Sequence, residues 1–356
     1  MTGIKKVLML VHPEMDHLAY MMFDGLYKVL GNENIFVYPF VNHYVGGVDK
    51  DYILDDGKLR YTAPPGYASS HENPNISFDE LAGMIDEFDI VYLSSARTYA
   101  MKALNQFKER FGNNMPPLVF SEGEDYQSLC TIEMIKRAFN PAVCFKRELM
   151  QTDLDARKDL YPLYPLPFSA ITDNLAPDNP DKDIDVFALF GNTYPIREDI
   201  VKLINASELL KKYKIHVGID HFSNEPEKVV WQDTSRFNMP PLLQYKQYHE
   251  IMARAKINIV ARGWGFDTLR RFEAPCYSGL VMSDNMPILT PYPFKDGEHI
   301  IYFKNSLQGL IGMIEYFLTH GEDRQRIGKA GREHCMKYHT TEARAKYFME
   351  KIEENI

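Results

Sequence analysis

Between Lys256 and Gly279 the sequence gathers residue types suited to a phosphorylated ligand. Ile257–Ala261 is expected as a strand. Arg262-Gly263-Trp264-Gly265-Phe266-Asp267 follows, and then a short helix is expected over Thr268–Tyr277. Gly263 and Gly265 let the backbone pass close to a ligand. A helix start offers unpaired N–H groups and a partial positive charge, both suited to phosphate, and Thr268 is placed to cap it. Arg262, Arg270 and Arg271 add planar forks that match phosphate oxygens. Glu273, three residues after Arg270, shares its helical face. A carboxylate there could accept hydrogen bonds from two adjacent ribose hydroxyls. The same residues also compose an ordinary helix with solvated arginines and an internal Arg270–Glu273 pair, so spacing alone leaves both readings open.

The first half of the chain offers a second set. His12, Glu14 and His17 follow the first apolar run, and an imidazole titrates near working pH, so His12 is a candidate general base. His12 and His17 as a metal pair would lack a clear third ligand. Ser121-Glu122-Gly123-Glu124-Asp125 forms an acidic cluster after the run Pro117–Phe120. Glu122 or Asp125 could bind an acceptor hydroxyl or act as base, or the cluster could be a solvated turn. Lys146-Arg147-Glu148 reads as a charged strand end.

These residues need elements to hold them. Lys6–Val11 is a continuous apolar run, as a strand buried on both faces requires. Helical spacing over Leu18–Leu30 and a strand at Ile35–Phe40 follow. Further strand and helix signals run through a helix near Phe78–Glu87, Asp89–Ser94, Tyr99–Phe111, Pro117–Phe120, Gln127–Phe139 and Ala142–Phe145. The polar, turn-rich stretch 43–76 interrupts the rhythm and carries a hairpin signal around Asp55-Asp56-Gly57. Prolines crowd residues 161–183, which read as a linker. The alternation then restarts with Asp185–Phe190, a helix over Pro195–Lys212, Lys214–Gly218, a helix over Leu242–Ala255, Ile257–Ala261, Leu280–Ser283 and His299–Phe303. The tail reads as three helices: one whose apolar face includes Leu307, Leu310 and Ile314, then Asp323–Tyr338 and Thr341–Glu354.

Two such series predict an α/β protein of two doubly wound, Rossmann-like domains facing a central cleft. The expected domains are 1–165 on the acceptor side and 166–340 on the donor side, with 341–356 as a helix packing back on the first. In such sheets, ligands sit beyond the carboxyl ends of the strands.

Composition narrows the function. The 356 residues suffice for two domains, and a formal net charge of −9 removes the general electrostatic argument for a nucleic-acid partner. Four scattered cysteines form no Cys-x-x-Cys pair, which fits a reducing compartment and core packing rather than zinc or redox chemistry. No apolar run has the length of a membrane span, so a cytoplasmic protein is expected. Val11-His12-Pro13 lacks the glycine fingerprint of a dinucleotide-binding dehydrogenase.

Thr268-Leu269-Arg270-Arg271-Phe272-Glu273-Ala274, continuing to Gly279 and Leu280-Val281-Met282, resembles the C-terminal domain of group 1 glycosyltransferases, in the spore-maturation-type branch. The resemblance continues through Phe294–Phe303, Ile327-Gly328-Lys329-Ala330-Gly331 and His339-Thr340-Thr341 with Arg344, about residues 250–345 in all. It implies a GT-B fold and transfer of a sugar from a nucleotide-diphosphate sugar, without metal or separate cofactor. It also implies that Glu273 holds the donor ribose, that Arg270 lies beside the diphosphate, and that Gly191-Asn192-Thr193 with Arg197 forms the phosphate-side loop. The sequence departs from many retaining members, which carry a glutamate eight positions before the one matched by Glu273; here that position is Gly265. The acceptor stays open among surface polysaccharide, lipid-linked sugar, small metabolite, protein and modified nucleic-acid base. A nucleotide-sugar epimerase and a non-catalytic nucleotide-binding protein of the same architecture remain as alternatives.

Overall fold

The computed structural model describes residues 3–13, 16–39, 75–173, 175–220 and 245–356. Glu14 and, apart from residues 75 and 76, the insertion read at 43–76 lie outside the described residues. The chain divides into two compact units. One comprises Met1–Asp173, Ile288–Pro291 and Thr340–Ile356, the other Asn174–Pro287 and Tyr292–His339.

In chain order, the first unit holds β1 (Val7–Leu10), α1 (His17–Leu30), β2 (Ile35–Tyr38), α2 (Phe78–Gly83), β3 (Ile90–Leu93) and α3 (Thr98–Phe111). It continues with β4 (Leu118–Glu122), α4 (Cys130–Phe139), β5 (Val143–Lys146), α5 (Gln151–Ala156) and β6 (Leu163–Pro165). The strands form one sheet in the order β2-β1-β3-β4-β5-β6, every described pairing parallel. Strands β1, β3, β4 and β5 are buried at every residue; β1 and β3 are accordingly continuous apolar runs, while β4 and β5 are apolar up to the buried Ser121-Glu122 and Lys146 at their carboxyl ends. The stretch read as a linker from residue 161 begins with an edge strand. Leu163–Pro165 pairs with Cys144–Lys146, and Pro165 is tolerated because it lies on the sheet edge.

The second unit holds β7 (Ile184–Gly191), α6 (Pro195–Asn205), α7 (Leu209–Lys212), β8 (Ile215–Asp220), α8 (Tyr245–Ala253), β9 (Ala255–Val260), α9 (Arg270–Glu273), β10 (Leu280–Asp284), β11 (Ile301–Phe303), α10 (Leu310–Thr319) and α11 (Gly321–Tyr338). Its parallel sheet runs β11-β10-β9-β7-β8. The single helix expected over Pro195–Lys212 is broken after Asn205, where Ser207 Oγ donates to Ile204 O at 2.7 Å and competes with the helical ladder. In α11, Gly328 and Gly331 permit contact closer than any side chain allows. A Cβ on Gly328 would lie 2.4 Å from Ser278 O, and one on Gly331 2.3 Å from His299 O.

The final helix, α12 (Thr341–Glu353), belongs to the first unit. Thr340 caps it by accepting from Ala343 N at 3.1 Å. Thr341 Oγ1 bonds the buried Asp24 of α1. Phe348 packs between Tyr92 and Phe145, with ring centroids 4.8 and 4.6 Å away, and Ile352 is fully buried. Ile288–Pro291 also joins this unit, with Leu289 N donating to Leu149 O at 2.7 Å. No helix among the described residues is long and apolar enough to cross a membrane.

Candidate functional site

In the second sheet the chain order reverses between β7 and β9, so the loops beyond their carboxyl ends flank a topological switch point. These loops are Gly191–Tyr194 and Ala261–Asp267. Arg197, near the start of α6, ties them together. Its Nη1 donates to Gly191 O at 3.0 Å, its Nη2 to Ala261 O at 3.0 Å and its Nε to Arg262 O at 2.8 Å. Burial, with Arg270 nearby, pushes its pKa down to about 10. Gly263 fits where a Cβ would press to 3.3 Å on both Arg197 Nη2 and Thr193 Oγ1. Buried Gly265 lies in the same loop, and Asn192 is exposed at the tip of the other.

Arg262 spreads its guanidinium over Tyr194 and Phe266, 4.2 and 3.6 Å from the ring centroids, and bonds Trp264 O. Arg270 lies over Phe190 and Tyr248, at 5.2 and 4.8 Å, and stays partly exposed. Burial pushes the Tyr248 hydroxyl up to about 12, with Arg270 opposing it. Glu273, 6 % exposed, faces His249, whose Nε2 lies 3.6 Å from Glu273 Oε1. His249 Nδ1 meets the Tyr277 hydroxyl at 2.6 Å. Tyr248 and His249 both come from α8, which the motif around Arg270 does not include. Their only sequence signal was a pair of aromatic polar residues on a helix that precedes a core strand.

Two expectations at this site need correction. Arg271 is fully buried and bonded to Asp284, with Nη2 at 3.0 Å from Oδ1, and its Nη2 also reaches Phe266 O. It therefore braces the loop from within instead of presenting its fork to a donor. Thr268 does not cap α9 with its side chain: the helix starts only at Arg270, and Thr268 Oγ1 has no hydrogen-bond partner among the described residues. One α-turn, continued by the 3-10 turn Ala274–Tyr277, also gives a weaker dipole than the longer helix expected.

In the first unit the reversal falls between β1 and β3. His12 follows β1 there, 7 % exposed and edge-on to Tyr99 at 5.4 Å. Among the described strands, β1 is second from the sheet edge. Asp16 caps α1 by accepting from Ala19 N, and burial raises its pKa. His17, the first residue of α1, lies edge-on to Phe168. Glu122, 2 % exposed, is paired with the buried Lys146 and accepts from Glu124 N at 2.9 Å; burial raises its pKa against the pull of that ammonium. Asp125 pairs with Arg147, whose Nε donates to Gly123 O at 2.8 Å. Lys146 ends β5, and with Arg147 and Glu148 it makes a charged strand end that is buried and organises the acidic cluster. Of the cysteines, Cys130 is exposed, while Cys276 and Cys335 meet in the second unit with sulfurs 3.8 Å apart.

Two parallel-sheet α/β units define a GT-B architecture. Residues 197–350 match the family described as glycosyl transferase-like. Solved structures of this architecture align along nearly the whole chain. A glycosyltransferase from Rickettsia africae ESF-5 is similar at TM-score 0.55 and 12% identity, covering 99% of this chain and 98% of its own. HepE from Anabaena, solved with UDP and glucose, is similar at TM-score 0.53 and 10% identity, covering 98% and 99%. Sucrose-phosphate synthase from Thermosynechococcus elongatus aligns at TM-score 0.51 and 12% identity, covering 97% of each chain. No curated protein matches the chain in sequence.

Proposed function

We propose that this protein is a cytoplasmic glycosyltransferase that moves a sugar from a nucleoside-diphosphate sugar, a UDP-sugar foremost, to an acceptor hydroxyl. The observation that carries this reading is the convergence of Arg270 and Glu273 beside the switch-point loops of the second sheet, within the segment that matches the glycosyl transferase-like family. The UDP and glucose held by HepE, which shares the fold, support a uridine donor.

In this reading Glu273 accepts hydrogen bonds from the donor ribose. Asn192, Thr193 and the loop around Gly191, Gly263 and Gly265 offer backbone and side-chain donors to the diphosphate. Arg262 and Arg270 contribute positive charge. Arg197 and Arg271 hold the loops in shape. During transfer, the bond from the anomeric carbon to the diphosphate oxygen breaks and a bond to the acceptor oxygen forms. Charge develops on the departing diphosphate, and Arg270 stabilises it without needing a metal ion. His12 accepts the proton of the acceptor hydroxyl.

The test is thermal unfolding of the full chain with UDP, GDP, ADP and their glucose conjugates. A nucleotide at one hundred times its Kd raises stability by about 2.7 kcal/mol. The expected result is a clear upward shift with UDP and UDP-glucose. No shift with any nucleoside diphosphate or nucleotide sugar would overturn the reading.

A further inference from the structure

The second unit carries a cavity of about 470 Å³ at the opposite end of its sheet from the donor loops. Its wall includes Lys182, just before β7, Lys256 at the start of β9, and Ser278, just before β10. These are the amino ends of the strands. One face of α11 completes the wall, with Arg324, Lys329 and Arg332.

The lining is strongly cationic. Lys182, Lys256, Arg324, Lys329 and Arg332 stand against Asp178 and Glu333, an excess of three positive charges. Lys256 is also paired with Asp185, at 2.7 Å, and counting that carboxylate still leaves an excess of two. Such an excess is unusual on a chain whose net charge is −9.

Lys182, Arg324 and Arg332 are held in place, which distinguishes them from loose surface residues; Lys329 is exposed, 4.0 Å from Glu333. Lys182 Nζ donates to Ala253 O at 2.8 Å and Tyr277 O at 2.6 Å. Arg332 Nε donates to Cys276 O at 2.9 Å, and Asp178 lies 3.7 Å from the same nitrogen. Asp178 is fixed in turn by Ser278 Oγ at 2.7 Å. Arg324 Nη1 is bound to Phe317 O and Leu318 O. These bonds use the Nε of Arg332 and one Nη of Arg324. Among the described residues, both Nη groups of Arg332 and Nη2 of Arg324 have no hydrogen-bond partner.

We propose that this cavity is a second ligand site, binding a phosphorylated small molecule through the Nη groups of Arg332 and Arg324 and the ammonium of Lys329. Anchored guanidinium forks match phosphate oxygens and lose little freedom on binding. The volume exceeds that of a bare ion and falls within the range of small-molecule sites. Gln325 and Asn179 supply neutral polar groups for the rest of the ligand. The site touches the donor machinery through one short turn: Lys182 and Arg332 hold the carbonyls of Tyr277 and Cys276, and the Tyr277 hydroxyl bonds His249 behind Glu273.

Calorimetric titration of the full chain with inorganic pyrophosphate tests this. The parent is compared with the double variant Arg332→Gln/Lys329→Gln, with the exposed single variant Lys329→Gln, and with the donor-loop variant Arg270→Ala. The expected result is a binding event weakened at least tenfold in the double variant and about threefold in Lys329→Gln, but retained in Arg270→Ala. UDP affinity should stay within about threefold of the parent in Lys329→Gln. Raised ionic strength should weaken the event, since the lining charges are partly exposed. Absence of pyrophosphate binding in the parent would overturn the proposal, as would variants at Arg332 and Lys329 that titrate like the parent. Loss of all pyrophosphate binding in Arg270→Ala alone would overturn it too, while leaving the donor reading intact. If the double variant does not fold, Lys329→Gln decides the outcome.

Discussion

His249 Nε2 lies 3.6 Å from Glu273 Oε1, and the other nitrogen of the same ring meets the Tyr277 hydroxyl at 2.6 Å. The carboxylate that the proposed function assigns to the donor ribose is thus backed by a buried imidazole from a different helix. Tyr277, four residues beyond Glu273, holds that imidazole and closes the arrangement. Hydrogen bonds to a charged group contribute roughly 1.5–3 kcal/mol, so Glu273→Ala should raise the Kd for UDP about 10- to 100-fold. His249→Ala removes only the support and should raise it roughly 2- to 10-fold. In the double variant the two losses should be less than additive, because the residues share one interaction. Calorimetry on the four proteins measures this, and full additivity would separate His249 from the site.

Arg270 should behave differently. Its aromatic supports, Phe190 and Tyr248, leave it partly exposed at the loop ends. If it stabilises charge that develops on the departing diphosphate, its removal falls mainly on the transition state. Arg270→Ala should lower kcat on the order of 10²- to 10³-fold, as for a lost oxyanion-hole donor, with a smaller effect on UDP affinity. Arg270→Lys keeps the charge but loses the planar stacking, and should fall between. Steady-state kinetics with saturating donor distinguish this from a role in binding alone.

Arg271 is the control for that experiment. It neighbours Arg270 in sequence, yet it is buried against Asp284. Breaking a buried ion pair by removing one partner costs about 3–5 kcal/mol. Arg271→Ala should therefore lower Tm by several degrees or more, and Arg271→Ala with Asp284→Ala should recover part of the loss. A variant with unchanged Tm and strongly weakened UDP binding would return Arg271 to the donor site.

Asp16 gives a prediction in pH. Burial raises its folded pKa above the usual carboxylate range, so between the two values the folded state binds more protons than the unfolded state. Its contribution to stability therefore falls as pH rises through that window. Asp16→Asn keeps an N-cap acceptor for Ala19 N, since asparagine caps about as well as aspartate, and removes the titration. Denaturant unfolding should show a flatter stability profile in the variant as pH rises above the ordinary aspartate value of about 4. It should also show equal or greater stability at pH 7. A steeper loss toward neutral pH in the variant would contradict the assignment.

The contrast between Arg270 and Arg271 also marks how far the sequence could be read. The two sheets were legible because strands buried on both faces print as apolar runs, uninterrupted in β1 and β3 and over Leu280–Met282 of β10. The loop Arg262–Asp267 was legible because glycines and arginines after such a run are uncommon without a reason. Which arginine lies inside was not legible, since burial of Arg271 depends on Asp284 at the end of another strand. Lys146 and Arg147 escaped for the same reason: their partners, Glu122 and Asp125, come from an earlier strand and the turn after it. β6 was hidden by the prolines that flank and end it, which read as a linker. His249 was hidden because a histidine on a helix has no local signature of the carboxylate it will meet.

His12 carries the last prediction. It stands just past β1, where the first sheet reverses its chain order, which is where ligands gather in folds of this kind. Glu122 and Asp125, the other candidates, are already paired with Lys146 and Arg147. Glu122 is committed to Lys146, and taking up a proton would leave that buried ammonium without its partner. His12, by contrast, stands beside the switch point and packs edge-on to Tyr99. A positioned base contributes on the order of 10²–10⁴ in rate. His12→Ala should therefore lower turnover by that order at saturating donor, leave UDP affinity within about twofold, and flatten the acidic limb of the rate-against-pH profile. Glu122→Gln should instead lower Tm by uncovering Lys146. A His12→Ala enzyme with parental turnover and an unchanged pH profile would remove the imidazole from the mechanism and return the role to the acidic cluster.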